Sequence, residues 1–298
     1  MLVLGGLLLI ALAGALIDYL GDDDADAADP KDSDTLAESD AETTEAGEPI
    51  TGSDDGDWLE GTERDDLLLG QRGGDDMFGG LGHDSLDGGD GDDWIHGDDA
   101  YGAGGNDVLR GGAGNDMLAG DGGDDTLVGG PGSDRLFGGE GNDLLQAGPG
   151  DDWLAGADGD DTLIAGKGEQ DLSGDAGNDL IIGSDDGRRA WLHGGEGADT
   201  LIAKDGDFAE GGAGQDLFVL QGDAPERTPE IADFKAGEDR IELRFSLRPD
   251  ERMPDIRIDR DDSGVTVIRA GESVIARLSG DTDLRAEDLI LRRVDISR

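Results

Sequence analysis

The sequence predicts an all-β protein: a coil of two opposed parallel sheets, followed by a small β-rich region that caps it. Two observations carry this reading. From Gly52 the chain repeats every nine residues, as in GGPGSDRLF (129–137), GGEGNDLLQ (138–146) and AGPGDDWLA (147–155). Each unit carries one aliphatic residue at position eight between polar or mixed neighbours, the pattern of a short strand that buries a single side chain. A third observation sets the conditions for folding. The 298 residues include 73 acids, 23 bases and 55 glycines, for a net charge of −50, and only 4% are aromatic. Self-repulsion at that density opposes compaction, and little apolar material is present to offset it. An ordinary globular enzyme is excluded, and nucleic acid and anionic membrane surfaces are disfavoured as partners. The chain calls for cations. With no cysteine, it has no disulfide, thiolate metal site or thiol nucleophile.

Composition divides the chain. Residues 1–219 hold 54 acids, 9 bases and 50 glycines; residues 220–298 hold 19 acids, 14 bases and 5 glycines. The first part cannot bury enough apolar area to fold unaided. Residues 1–20 are apolar apart from Asp18 and Tyr19, close to the length of a membrane helix. Ala11-Leu12-Ala13 has the form of a cleavage site, but no Lys or Arg precedes it. We therefore expect an N-terminal membrane anchor or uncleaved signal. The acidic run Asp22–Asp24 carries no positive-inside signal, so the bulk of the chain is expected outside. Residues 21–51, rich in Asp, Glu, Ala and Thr, read as a disordered, self-repelling tether.

Residues 52–219 hold 18 units, three of them degenerate, interrupted once by a five-residue insertion, Gly97–Tyr101. Glycines at positions one, two and four permit positive φ and let carbonyls turn toward a common point. The aspartate at position six adds an anionic oxygen. That donor set suits Ca²⁺ better than Zn²⁺ or Mg²⁺. Composition alone would read as a solvated linker, but a linker has no reason to place an aliphatic residue at every ninth position. Without calcium, the linker reading describes the expected state.

If alternate units form opposite edges, the aspartates make two columns. One runs Asp66, Asp84, Asp107, Asp125, Asp143, Asp161, Asp179, Asp199, Asp216 without a break. The other runs Asp57, Asp75, Asp93, Asp116, Asp134, Asp152 and then fails: Gln170 and Ala190 stand where aspartate belongs, and unit 203–210 is one residue short. These fifteen aspartates are the expected calcium ligands. One ladder is full and the other is truncated after Asp152, with about thirteen gaps in all, enough for divalent ions to offset about half the net charge.

Trp58, Trp94, Trp153 and Trp191 all fall at position seven of units in the second column, hence outward on one sheet, with Met117 and Phe208 in the same file. Such a stripe reads either as cover for a thin core, the more economical view, or as a docking surface for a glycan or cell surface. His83, His96 and His193 lie inside repeats without zinc spacing and read as solvated residues. No nucleophile elbow, P-loop or other catalytic constellation is present, so no catalytic residue is expected. Adjacent carboxylates such as Asp151 and Asp152 are better explained by metal.

The motif resembles the calcium-binding nonapeptide of RTX (hemolysin-type) proteins, with no protease, lipase or toxin domain attached. The resemblance implies a parallel β-roll, a right-handed solenoid of nonapeptide repeats with one turn per two units and calcium bridging loops two units apart. Residues 220–298 read as its β-rich cap. IADFKAGEDRIEL (231–243), with LFVL (217–220) before it, is similar to the segment that closes the roll in secreted RTX metalloproteases, and AEDLILRRVDIS (286–297) resembles a family C-terminus. GVTVIRAG (264–271) and SVIARL (273–278) alternate as a hairpin joined at Gly271-Glu272. The resemblance implies type I secretion to the extracellular space, in tension with an apolar N-terminus. The expected function is a calcium-binding secreted or surface-anchored protein folded by external Ca²⁺. A polysaccharide-modifying or polysaccharide-binding exoprotein is the alternative.

Overall fold

The computed structural model describes residues 49–98, 104–184, 186–280 and 282–295. The expected anchor (1–20) and most of the tether (21–51) lie outside these residues, as does most of the insertion.

Two sheets run through the described residues. A 12-stranded sheet begins at Ile50–Thr51 and ends at Leu289–Asp295; a 13-stranded sheet begins at Trp58–Thr62 and ends at Ile256–Arg260. As far as Arg240–Leu247 the chain alternates between them strand by strand, giving a parallel solenoid of about 10 turns. One turn is two nonapeptides, so pairing is offset by eighteen residues: Leu136 lies between Leu118 and Leu154 in its sheet, and Leu145 between Leu127 and Leu163 in the other. Across the insertion the offset grows, and Ile95 pairs with Leu118. Leu118, Leu127, Leu136, Leu145, Leu154 and Leu163 are completely buried, so the core is two facing files of aliphatic side chains.

The loops close so tightly that glycine is required. At Gly91 (φ 152°) an added Cβ would lie 1.4 Å from the carbonyl oxygen of Gly73, one turn earlier. Position two is left-handed in most interior loops, even where Gln71, Asp121, Ala157 and Asp175 occupy it, though not at Gly166 or Ser184.

The C-terminal region continues both sheets. Arg240–Leu247 pairs in parallel with Leu217–Gln221 on one side and Leu289–Asp295 on the other. Ser273–Leu278 joins the other sheet and turns at Gly271 (φ 62°) against Thr266–Ala270 as the expected hairpin, with Ile256–Arg260 outermost. Glu242, buried in this region, accepts from Arg244 Nε and Arg292 Nε, both at 2.7 Å, and so ties the last strand to its neighbour. The described residues contain no α-helix and one 3₁₀ turn, Ala286–Asp288.

Candidate metal centre

The alternation of sheets puts the position-six aspartates on two edges. On the first, each Oδ1 accepts the backbone N–H of the aspartate one turn earlier: Asp66 donates to Asp84, Asp84 to Asp107, and so on through Asp125, Asp143, Asp161, Asp179, Asp199 and Asp216, at 2.7–3.1 Å. On the second, the same bonds link Asp57, Asp75, Asp93, Asp116, Asp134 and Asp152 at 2.8–2.9 Å. The structure thus brings each set of predicted aspartates into one column.

The second carboxylate oxygen is the informative one. In twelve of these aspartates Oδ2 is buried and has no hydrogen-bond partner: Asp84, Asp107, Asp125, Asp143, Asp161, Asp179, Asp199 and Asp216 on the first edge, Asp75, Asp93, Asp116 and Asp134 on the second. A buried anionic oxygen without a partner is costly. Around it lies a small cradle of oxygens. A Cβ built on Gly70 would fall 2.3 Å from Asp75 Oδ2 and 2.5 Å from Gly88 O; on Gly120, 2.2 Å from Asp125 Oδ2 and 2.6 Å from Gly138 O. Only glycine at position one leaves that space open. Among the described residues no three His, Asp or Glu side chains converge as a metal-binding group. Each site instead combines one carboxylate with loop carbonyls, a hard oxygen set that fits Ca²⁺.

The electrostatics agree. Burial pushes Asp84, Asp125, Asp134 and Asp161 up to about 7, the backbone N–H bond to Oδ1 partly opposing it and neighbouring carboxylates adding to it. Asp93, Asp107, Asp116, Asp143, Asp179 and Asp216 are raised to about 6, again chiefly by burial. A divalent ion against Oδ2 reverses this tendency and holds the carboxylates ionised.

Two column members, and a further buried aspartate beside them, were not apparent from the repeat. Asp239 accepts the N–H of Asp216 at 3.1 Å and so extends the first column into the C-terminal region. Its segment, Gly237-Glu238-Asp239-Arg240-Ile241, keeps the last half of a nonapeptide, which is the signal that finds it. In the short unit 203–210, Asp207 is fully buried and accepts the N–H of Ala190 at 2.9 Å, so the second column resumes after its break. Asp98, at the start of the insertion, is buried and bonds the N–H groups of Gly105 and Gly122.

Outside the buried columns a second ladder runs along position five. Asp124, Asn142, Asp160 and Asn178 alternate, each side-chain oxygen accepting the N–H of the residue one turn later at 2.7–2.9 Å. His83, expected to be a solvated residue, belongs to this ladder: its Nδ1 accepts the N–H of Asn106 at 2.7 Å.

The four tryptophans lie on the 13-stranded sheet, and Met117 and Phe208 share their file. Trp58 and Trp94 are 61% and 49% exposed. Phe78 and Phe137, at position nine, join them: Phe78 lies 4.7 Å from Trp58 and stacks on His96 at 5.4 Å, and Phe137 meets Trp153 edge-on at 4.8 Å. A cleft of about 670 Å³ opens on this face where the second column breaks, lined in part by Arg135, Trp153, Gln170, Asp171, Trp191 and His193.

Comparison with known proteins places these features. No curated protein matches the chain. Among solved structures, the solution structure of the AlgE6R3 subunit from the Azotobacter vinelandii mannuronan C5-epimerase is similar at 25% identity over 50% of this chain and 79% of that one, with a TM-score of 0.30. The family described as RTX calcium-binding nonapeptide repeat (4 copies) matches residues 51–86, 70–100, 101–136, 137–169, 164–186 and 193–223. Those segments span more than half of the chain and coincide with the two columns of aspartate, and the chain belongs to this family of calcium-binding repeat proteins.

Proposed function

We propose that the protein is a secreted or surface-anchored, non-catalytic calcium-binding module whose roll folds when the chain meets external Ca²⁺. The observation that carries this reading is the set of twelve buried, unpartnered Oδ2 atoms. Such a molecule is poorly stable without a cation and strongly favoured with one. In calcium-poor cytosol the repeat stays open; outside, at roughly millimolar calcium, mass action drives it closed. Residues 1–20 serve as an anchor or retained signal. Residues 220–298, similar to the closing segment of secreted RTX metalloproteases, cap the roll and hold the type I export signal. The test is a far-UV circular dichroism titration of the full chain from chelator to 10 mM calcium, with magnesium as control. A cooperative, calcium-specific gain of β-structure supports the reading; full structure in chelator, or equal response to magnesium, ends it.

The cleft beside Trp153 and Trp191 favours a second reading, a polysaccharide-binding or polysaccharide-modifying exoprotein. Trp153, Asp171 and Trp191 are successive neighbours in register, so two aromatic rings flank a carboxylate on one face. Binding assays against neutral and uronic-acid polymers, with Trp153→Ala and Trp191→Ala as controls, separate it from the first. Turnover of such a polymer would overturn the non-catalytic view.

A further inference from the structure

We propose that the chain ends its calcium ladders with hydrogen-bond donors of its own, which take the places cations hold elsewhere, so that the second edge is free of metal from Ala147 to Ala190. This rests on the calcium reading of the repeats and concerns where along the roll it stops.

The argument starts from the aspartates whose Oδ2 does have a partner. At the N-terminal end, Asp57 Oδ2 accepts from Ser53 N–H at 2.6 Å and Ser53 Oγ at 2.9 Å; Asp66 Oδ2 accepts from Thr62 N–H and Thr62 Oγ1, both at 2.7 Å. Ser53 and Thr62 stand at position two, where the interior turns carry left-handed residues such as Gly89 and Gly112; neither adopts that conformation. The change of residue redirects an N–H and adds a hydroxyl, and the pair satisfies the oxygen that a cation meets one turn further in.

On the second edge the stop is Gln170. Its Nε2 donates to Asp152 Oδ2 at 2.9 Å and to Gly150 O at 2.7 Å. One nitrogen therefore bridges a column carboxylate and a loop carbonyl, the two oxygen types that form the metal cradle. Position one of this turn is Ala147, fully buried. Its methyl group is the counterpart of the Cβ that, built on Gly129, would lie 2.5 Å from Asp134 Oδ2. The next column position is Ala190, without a carboxylate. Loss of two carboxylates at 170 and 190 and loss of the cradle glycine at 147 belong together: an edge that gives up its cations must also give up buried charge. Where the column resumes, Asp207 Oδ2 accepts the N–H of Lys204 at 2.8 Å, again a bond from the chain.

The first edge stops at Lys235. Its N–H donates to Asp239 Oδ2 at 2.7 Å, and its Nζ bonds the carbonyl oxygen of Gly212 in the preceding loop. A side-chain ammonium thus reaches a loop carbonyl at the end of the ladder.

The ladders that remain are bounded: eight unpartnered carboxylates on the first edge and four on the second. Gln170 offers a discriminating test, because its buried Oε1 has no partner. Turned over, the amide would set Oε1 against Asp152 Oδ2, an arrangement that needs a cation between them.

The experiment is equilibrium dialysis of the full chain in saturating calcium, with bound metal counted by elemental analysis and folding checked by circular dichroism. Asp134→Asn, Asp152→Asn and the double variant Ala147→Gly with Gln170→Asp are compared with the parent chain. Both asparagines keep the Oδ1 acceptor, and the double variant restores both the carboxylate and the cradle glycine. We expect about twelve ions in the parent, one fewer in Asp134→Asn, no loss in Asp152→Asn, and at least one more in the double variant. Loss of an ion in Asp152→Asn equal to that in Asp134→Asn would overturn the proposal, as would an unchanged count in a folded double variant. If the double variant fails to fold, the comparison of Asp134 with Asp152 decides alone. No bound calcium in any chain is a different result, since it overturns the metal reading itself.

Discussion

Asp143 holds Asp125 from one turn later: its Oδ1 accepts the Asp125 N–H at 2.8 Å, while Oδ2 of the same carboxylate is buried with no partner. One carboxylate therefore does two separable jobs, closing a backbone hydrogen bond and presenting an oxygen to a cation. Asp143→Asn keeps the first and loses the second, whereas Asp143→Ala loses both and leaves a buried N–H unpaired. We expect the alanine variant to be less stable than the asparagine variant by about 1–3 kcal/mol in saturating calcium, measured by urea unfolding.

The raised carboxylates give a pH dependence whose sign changes with metal. Without calcium, groups at about 6 to about 7 in the folded chain, against 3.8 as the ordinary value, bind more protons folded than unfolded. Their contribution to stability is fully present below the unfolded value and is lost as pH rises through 6 to 7. Acidifying a chelated sample from pH 7.5 toward 4.5 should therefore increase β-structure in far-UV circular dichroism. With calcium present, protons compete for the same oxygens, and the calcium midpoint should move to higher concentration over that range. A chelated chain that loses structure on acidification would contradict this account.

Ala157 occupies the left-handed position two with φ 83°, where Gly139 and Gly195 stand in comparable loops. An L-residue there costs on the order of 1 kcal/mol, partly offset in glycine by its greater freedom when unfolded. Ala157→Gly should raise stability in calcium by about 0.5 kcal/mol, visible as a higher urea midpoint.

Leu136 sits wholly buried between Leu118 and Leu154. With one such residue per strand, no second layer can fill the space left by truncation. Leu136→Ala should cost about 2–5 kcal/mol, read as a lower unfolding midpoint and a higher calcium requirement.

What the sequence makes legible follows from its period. A nine-residue spacing of leucines fixes which side chains turn inward, and a nine-residue spacing of aspartates fixes which loops share an edge. What it hides are departures from that period. Asp207 lies in a unit shortened by one residue, yet a loop can close one residue early and still bring its carboxylate to the column. Gln170 reads as a missing ligand, and only the bond from Nε2 to Asp152 shows it to be a replacement partner. Phe78 and Phe137 escaped the aromatic stripe because position nine faces outward as position seven does; alternation along a strand puts both on the same side. Asp239 lies past the last whole repeat, beyond the range where phase alone can be followed.

The buried column has a direction. Every bond in it runs from the N–H of an earlier turn to the side chain of a later one, so each turn is finished by the turn that follows. The exposed position-five ladder runs the other way, but water can stand in for its partners. In this column, removing turns from the N-terminus frees only a carboxylate oxygen, to which water donates or a cation binds readily. Removing them from the C-terminus strips the acceptor from a buried N–H. The roll is therefore an assembly with a fixed foundation and a free growing end: Asp239 is the founding stone, and Asp57 belongs to the last course laid.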